Sequence, residues 1–215
     1  IKLLQRKIEP EMVVVLTIWL FFPLFWIVII NPPQYDNFRH LLFIIPPIFI
    51  IIGVGIQKIF EITKNIRTAL IITLILSIPN LYWCVRLHPY QYIYYNWIVG
   101  GVEGAFRQYE MDYWASSYRE ATNFINKTAP PNSRVIVWGP DNIVANYARQ
   151  DIVVEEYNAK VKINKEVPIY AIISTRNDKD IKLFPGAEQI FLIKREGAIL
   201  SVVKQLNPSN PTGTK

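Results

Sequence analysis

Sulfur and imidazole are scarce in this chain of 215 residues, which has one cysteine, Cys84, and two histidines, His40 and His88. A lone cysteine closes no disulfide within the chain and fits no Cys-x-x-Cys metal or redox pattern. Two histidines are too few for a His-rich metal site, and the residues indicate no cofactor. The net charge is a modest +6, and little of it lies in the second half. Residues 101–215 carry fifteen Lys/Arg against thirteen Asp/Glu, so no basic face argues for nucleic acid. There is no glycine-rich phosphate fingerprint: Gly100-Gly101 and Gly104 permit a tight turn but match no nucleotide loop. Trp138-Gly139-Pro140-Asp141 follows a strand pattern and opens a helix, the place of many nucleotide sites, yet lacks those glycines. Repeats and low-complexity segments are absent too.

Charge is missing in another way across the first hundred residues, where three long runs carry none. Residues 12–30, 41–57 and 68–85 are uncharged and apolar. Nineteen residues rise about 28 Å as a helix, close to the roughly 30 Å of a bilayer core, so three transmembrane helices are expected. Pro23 should kink the first, Pro46-Pro47 should break or bend the second, and Pro79-Asn80 should bend or end the third. Lys2, Arg6 and Lys7 precede the first run, and Lys58, Lys64 and Arg67 separate the second from the third. Two crossings apart, these clusters share a side, which the positive-inside rule makes cytoplasmic. The loop at 31–40 and everything after the third run are then extracytoplasmic, with Arg86 against the trend. Seven aromatics between Tyr82 and Trp97 (Tyr82, Trp83, Tyr90, Tyr92, Tyr94, Tyr95, Trp97) suit an interfacial belt. The chain begins at Ile1, and we expect it to be the C-terminal part of a longer protein.

From about Gly100 the pattern becomes that of a small α/β domain. Apolar positions at helical spacing predict a helix over 114–126, ended by Ala129-Pro130-Pro131. Strands are expected at 134–138, 152–155 and 169–174, a short helix at 142–149, and a hairpin of 189–194 with 198–203 around Glu196-Gly197. Residues 207–215 read as a disordered tail. The division is therefore 1–99 as membrane helices and 100–206 as an extracytoplasmic α/β domain.

Few residues outside the runs could carry chemistry. Arg39 could fork onto two phosphate oxygens, or could serve only as an interface anchor with its stem along apolar surface. His40 adjoins it, with Tyr35 and Asp36 just before. His88, after the third run, could shuttle a proton or bind phosphate, or be a packed loop residue. Glu110 and Asp112 could hold a divalent ion or do acid–base work; for Asp112, just before a helix, a cap is the better reading. Asn126-Lys127-Thr128 fits a glycosylation sequon.

Three segments stand out in order: YDNFRHLLFIIPP at 35–47, HPYQYIYYNWIVGG at 88–101 and YEMDYWASSYREATNFIN at 109–126. Together they resemble the C-terminal region of bacterial and archaeal C-type membrane glycosyltransferases, similar to the dolichyl-phosphate-mannose protein mannosyltransferases. The resemblance implies a multi-pass cell-membrane enzyme that takes a sugar from a polyprenyl-phosphate donor on the outer face. It passes that sugar, with inversion, to a protein, lipid or glycan. It implies that Arg39, Tyr35, His40 and His88 contribute to donor binding, Arg39 as the cation on the leaving phosphate. The family's catalytic acid lies in its first outer loop, so it is expected upstream of this chain. Neither Asp36 nor Asp112 replaces it, and the fragment alone is expected to be inactive. The implied partners are the lipid-linked donor, membrane lipid and the missing N-terminal transmembrane part. Two other classes remain open: a non-enzymatic, membrane-anchored binding or assembly domain, and part of a transporter with broken spans lining a path.

Overall fold

The computed structural model describes residues 9–33, 37–160, 163 and 167–206, and of Asn37 and Phe38 the backbone alone. The basic flank at Lys2, Arg6 and Lys7, the pair Tyr35 and Asp36, and the tail from 207 lie outside the described residues. The chain falls into two compact units, dividing between Tyr82 and Trp83.

The first unit is helical. Helix α1 (Pro10–Ile30) opens on a proline and runs through Pro23 to Asn31, which takes a left-handed conformation and donates its N–H to the Ile27 carbonyl. A 3-10 segment, Asn37–Ile44, leads into α2 (Ile45–Thr63). The run 41–57 divides at the break or bend expected of Pro46-Pro47: up to Ile44 it is 3-10, and α2 begins at Ile45. The pair sits in the first turn of α2, where N–H groups have no partner within the helix and a proline forfeits nothing. Past residue 57, α2 continues through the Lys58–Glu61 ion pair (3.1 Å) to a left-handed Lys64. Helix α3 (Ile66–Arg86) does not end at Pro79. The hydroxyls of Thr73 and Ser77 donate to carbonyls one turn back, Ala69 at 2.9 Å and Thr73 at 2.8 Å. Helices α2 and α3 are each continuous over their own lengths, and the second span divides between the 3-10 segment and α2.

All three stretches are long and apolar enough to cross a membrane. Among the described residues of this unit only Leu16, Ile44, Pro47 and Ala69 are buried. Phe25, Val28, Phe49 and Leu76 are 65%, 80%, 66% and 64% exposed. Helices this apolar on every side are stable only when something apolar surrounds them, which here means membrane association.

The second unit is a small α/β sheet region. Its five strands are β1 (Arg134–Trp138), β2 (Val153–Glu156), β3 (Ile169–Ser174), β4 (Glu188–Arg195) and β5 (Ala198–Gln205), in the order β2-β1-β3-β5-β4. The first three are parallel, and β5 joins β3 and β4 antiparallel. All six residues of β3 are buried, as its central place and near-continuous apolar sequence require. Glu196 and Gly197, both at positive φ (45° and 80°), form the two-residue hairpin turn between β4 and β5.

Side chains alternate across the sheet. Val135, Val137, Tyr170, Ile172 and Val203 face one core, and Ile136, Ile169, Ala171, Ile173 and Val202 the other. The first core is covered by α4 (Gly101–Ala105), α5 (Tyr118–Thr128) and α6 (Asp141–Tyr147), together with Leu87, Tyr90 and Ile93. Residues 83–99, grouped with the membrane helices from sequence, thus belong to the sheet unit, because their apolar side chains complete its core. The second core is thinner and includes Leu183 and Phe184, just after α7 (Lys179–Lys182). The helix expected from 114 starts at Tyr118 instead. Ala115 holds φ 52°, outside the helical region, and Trp114 is half exposed in the turn before.

Candidate functional site

In the second unit, two of the three segments that stood out in sequence lock onto each other. Tyr90 donates its hydroxyl to Glu120 at 2.9 Å, Tyr92 donates to Asp112, and Tyr95 donates to the Glu110 carbonyl at 2.8 Å. Arg195 completes the first contact, binding Glu120 at 2.7 Å with its guanidinium 4.6 Å above the Tyr90 ring. The belt reading is corrected for these tyrosines. Tyr90 is 2% exposed, and Tyr92 and Tyr95 pack against the core, because their hydroxyls find acidic and carbonyl partners inside the domain. Tyr94 (41% exposed) and Trp97 (85%) do face outward.

Asp112 is the most deeply set acid of the cluster, 3% exposed. It accepts from the Tyr92 and Ser117 hydroxyls and from the Ser117 N–H at 3.3 Å, and the Ser117 and Ser201 hydroxyls lie 2.6 Å apart. Burial pushes its carboxyl up to about 6, against the lowering effect of its hydrogen bonds to Ser117 and Tyr92. Burial, with the charge of Asp112, also raises the Tyr92 phenol. The cap expected of Asp112 is present in altered form: it accepts the N–H of Ser117, the residue just before α5. Glu110 turns elsewhere, to Arg176 at 2.7 Å. The two acids therefore do not converge, and among the described residues no cluster of His, Cys, Asp and Glu is fit to hold a metal ion.

In the first unit, the 3-10 segment carries Arg39 and His40. It is fastened to α1 by the indole N–H of Trp19, which donates to the Phe43 carbonyl at 2.9 Å. Between α1 and this segment lies a cleft of about 560 Å³ whose lining includes Phe22, Trp26, Pro33, His40, Leu41 and Phe43. Among the described residues lining it, His40 is the one titratable side chain. Arg39 is exposed on the same turn. His88 belongs to the second unit, exposed, with the Gln91 amide 3.0 Å from its Nδ1. Of the four expected donor-binding residues, Arg39 and His40 are thus neighbours, His88 sits in the other unit, and Tyr35 lies outside the described residues.

Two further sequence signals resolve into packing. The strand order reverses between β1 and β3, where open α/β sheets commonly bind ligands. Here the Tyr118 hydroxyl fills that crevice, donating to the Trp138 carbonyl and accepting from the Ser174 N–H at 3.0 Å. The Asn126 amide of the sequon donates to the Tyr147 carbonyl at 2.7 Å and accepts from the Arg149 N–H at 3.0 Å, so the nitrogen a glycan would take is engaged.

Sequence reasoning missed the pairing of Arg107 with Asp178 (2.8 Å) and with the buried Asp180 (2.7 Å). It also missed Lys204, 1% exposed, whose amine donates to the Leu183 and Phe184 carbonyls at 2.8 and 3.0 Å. Arg86, which ran against the charge bias, is paired to Glu196 at 2.6 Å. These partners lie from twenty-odd to over a hundred residues apart, beyond any local pattern. Compared with known proteins, the chain matches no family model, no curated protein and no solved structure.

Proposed function

We propose that this chain is the C-terminal portion of an integral membrane glycosyltransferase. Its sugar comes from a polyprenyl-phosphate-linked donor and goes to a protein, lipid or glycan acceptor on the outer face of the cell membrane. The observation that carries the reading is the cleft beside α1: an apolar slot with a single imidazole in its lining and Arg39 on the same turn. Such a slot suits a polyprenyl chain whose phosphate lies at the Arg39–His40 turn. A guanidinium forked onto two phosphate oxygens offsets the charge that develops as the glycosidic bond breaks. His40 adds a donor to the same phosphate. The base for the acceptor hydroxyl comes from an acidic loop upstream of this chain. The charge bias at Lys58, Lys64 and Arg67 supports an extracytoplasmic sheet unit.

Photocrosslinking tests the donor site. A polyprenyl phosphate bearing a diazirine near the phosphate should label the 19–43 region of the chain in nanodiscs, and unlabelled polyprenyl phosphate should compete. Labelling spread evenly over α1, α2 and α3 would show lipid contact without a site and would end the reading.

A further inference from the structure

A second cleft, of about 290 Å³, lies within the sheet unit, where the chain leaves β3 and meets the loop after α4. It is small, just under the roughly 300–1,000 Å³ of small-molecule pockets, so it has room for a single ring rather than a nucleotide. Arg107, Glu110, Arg176 and Asp178 line it, two positive charges against two negative. They stand as two pairs, Arg107 with Asp178 at 2.8 Å and Arg176 with Glu110 at 2.7 Å. An anion in this space would face two carboxylates, and a cation two guanidiniums. A neutral ligand that both donates and accepts meets no repulsion. Arg107 gives three hydrogen bonds, one to Asp178 and two to Asp180, out of its five N–H donors.

Tyr109 supplies the apolar side of the cleft. Its ring is half exposed and stacks on Tyr95, centroids 5.5 Å apart and planes at 28°. Tyr95 is itself fixed by its bond to the Glu110 carbonyl. A flat ring beside alternating donors and acceptors matches a pyranose, whose C–H face is apolar and whose edge is hydroxyls. The opposite wall is also set in advance. Asn177 and Asp178 both hold left-handed conformations (φ 56° and 57°), tied by the Arg107–Asp178 pair and by Lys182, which donates to the Asn177 carbonyl at 3.0 Å.

We propose that this cleft binds a neutral sugar residue of a glycan. The proposal stands apart from the donor reading, since every residue it uses lies in the sheet unit.

The test is saturation-transfer NMR on the whole chain in amphipol, which avoids sugar-based detergents. The probes are methyl glycosides of glucose, mannose, galactose and N-acetylglucosamine, with glucose 1-phosphate and inorganic phosphate alongside. At least one neutral glycoside should bind. Tyr109→Ala should weaken it at least about tenfold, equivalent to about 1.4 kcal/mol, and Tyr109→Phe should keep it. Gln108→Trp, at an exposed rim position, should block the cleft without touching either ion pair and abolish binding, which keeps the test decisive if Tyr109→Ala misfolds. Binding of no probe, binding of the anions alone, or glycoside binding unchanged in Gln108→Trp would each overturn the proposal.

Discussion

Tyr92 donates its hydroxyl proton to the buried carboxylate of Asp112, twenty residues further along the chain. Through Ser117 and Ser201 that contact continues to β5, tying the connection after α3, the start of α5 and the sheet to one acid. Because the carboxyl is pushed up to about 6 by burial, the folded chain keeps a proton there that the unfolded chain releases near pH 4. More protons are bound folded than unfolded between about pH 4 and pH 6. Stability therefore falls as pH rises through that window and levels off above it. The drop approaches 3 kcal/mol, at about 1.4 per pH unit. Asp112→Asn should flatten this component, read as the difference between wild-type and variant thermal melts from pH 4 to 7. Parallel curves would show that Asp112 does not titrate in this range.

Tyr118→Phe should cost about 1–3 kcal/mol, since it strands the buried Ser174 N–H and removes a donor from the Trp138 carbonyl. Amide exchange should speed up first at Ser174 and the end of β1, where the hydroxyl bridges the two strands. A uniform rise over the sheet unit would point to general loosening instead.

Arg107→Ala leaves Asp180, whose side chain is 3% exposed, without its bidentate partner. A loss of roughly 1.5–3 kcal/mol is expected, the scale of a hydrogen bond to a charged group. The double variant Arg107→Ala/Asp180→Ala should recover part of it, because no buried charge is then stranded. Denaturant midpoints of the three variants decide this, and a double variant no better than Arg107→Ala would refute it.

In the full-length enzyme, Arg39→Ala should lower kcat/KM for a polyprenyl-phosphate sugar about 10- to 100-fold. Arg39→Lys, which keeps the charge and loses the fork, should lose less. Membrane levels should barely change. If instead the variant is poorly inserted yet normally active per molecule, Arg39 is an interface anchor.

Orientation is open to direct chemistry. With Cys84 replaced by serine, single cysteines at Lys64 and Gln150 should differ towards a membrane-impermeant thiol reagent in intact cells: labelling at 150, none at 64. The reverse pattern would invert the proposed topology.

The sequence by itself determined the elements whose signal is local. Three uncharged runs became three helices long enough to span a membrane, since each apolar residue contributes independently of its neighbours. The five strands appeared within a residue or two of their apolar patterns, and the hairpin turned at Glu196-Gly197 as its composition demands. Only the tertiary structure decided what depends on distant partners. Helix α5 starts at Tyr118 because Asp112 holds Ser117. Tyr90, Tyr92 and Tyr95 point inward although their composition reads as an interfacial belt, because Glu120, Asp112 and the Glu110 carbonyl wait for their hydroxyls. A polar side chain's place is set by where its partner ends up, and hydrogen bonds reaching across twenty to more than a hundred residues have no period to read.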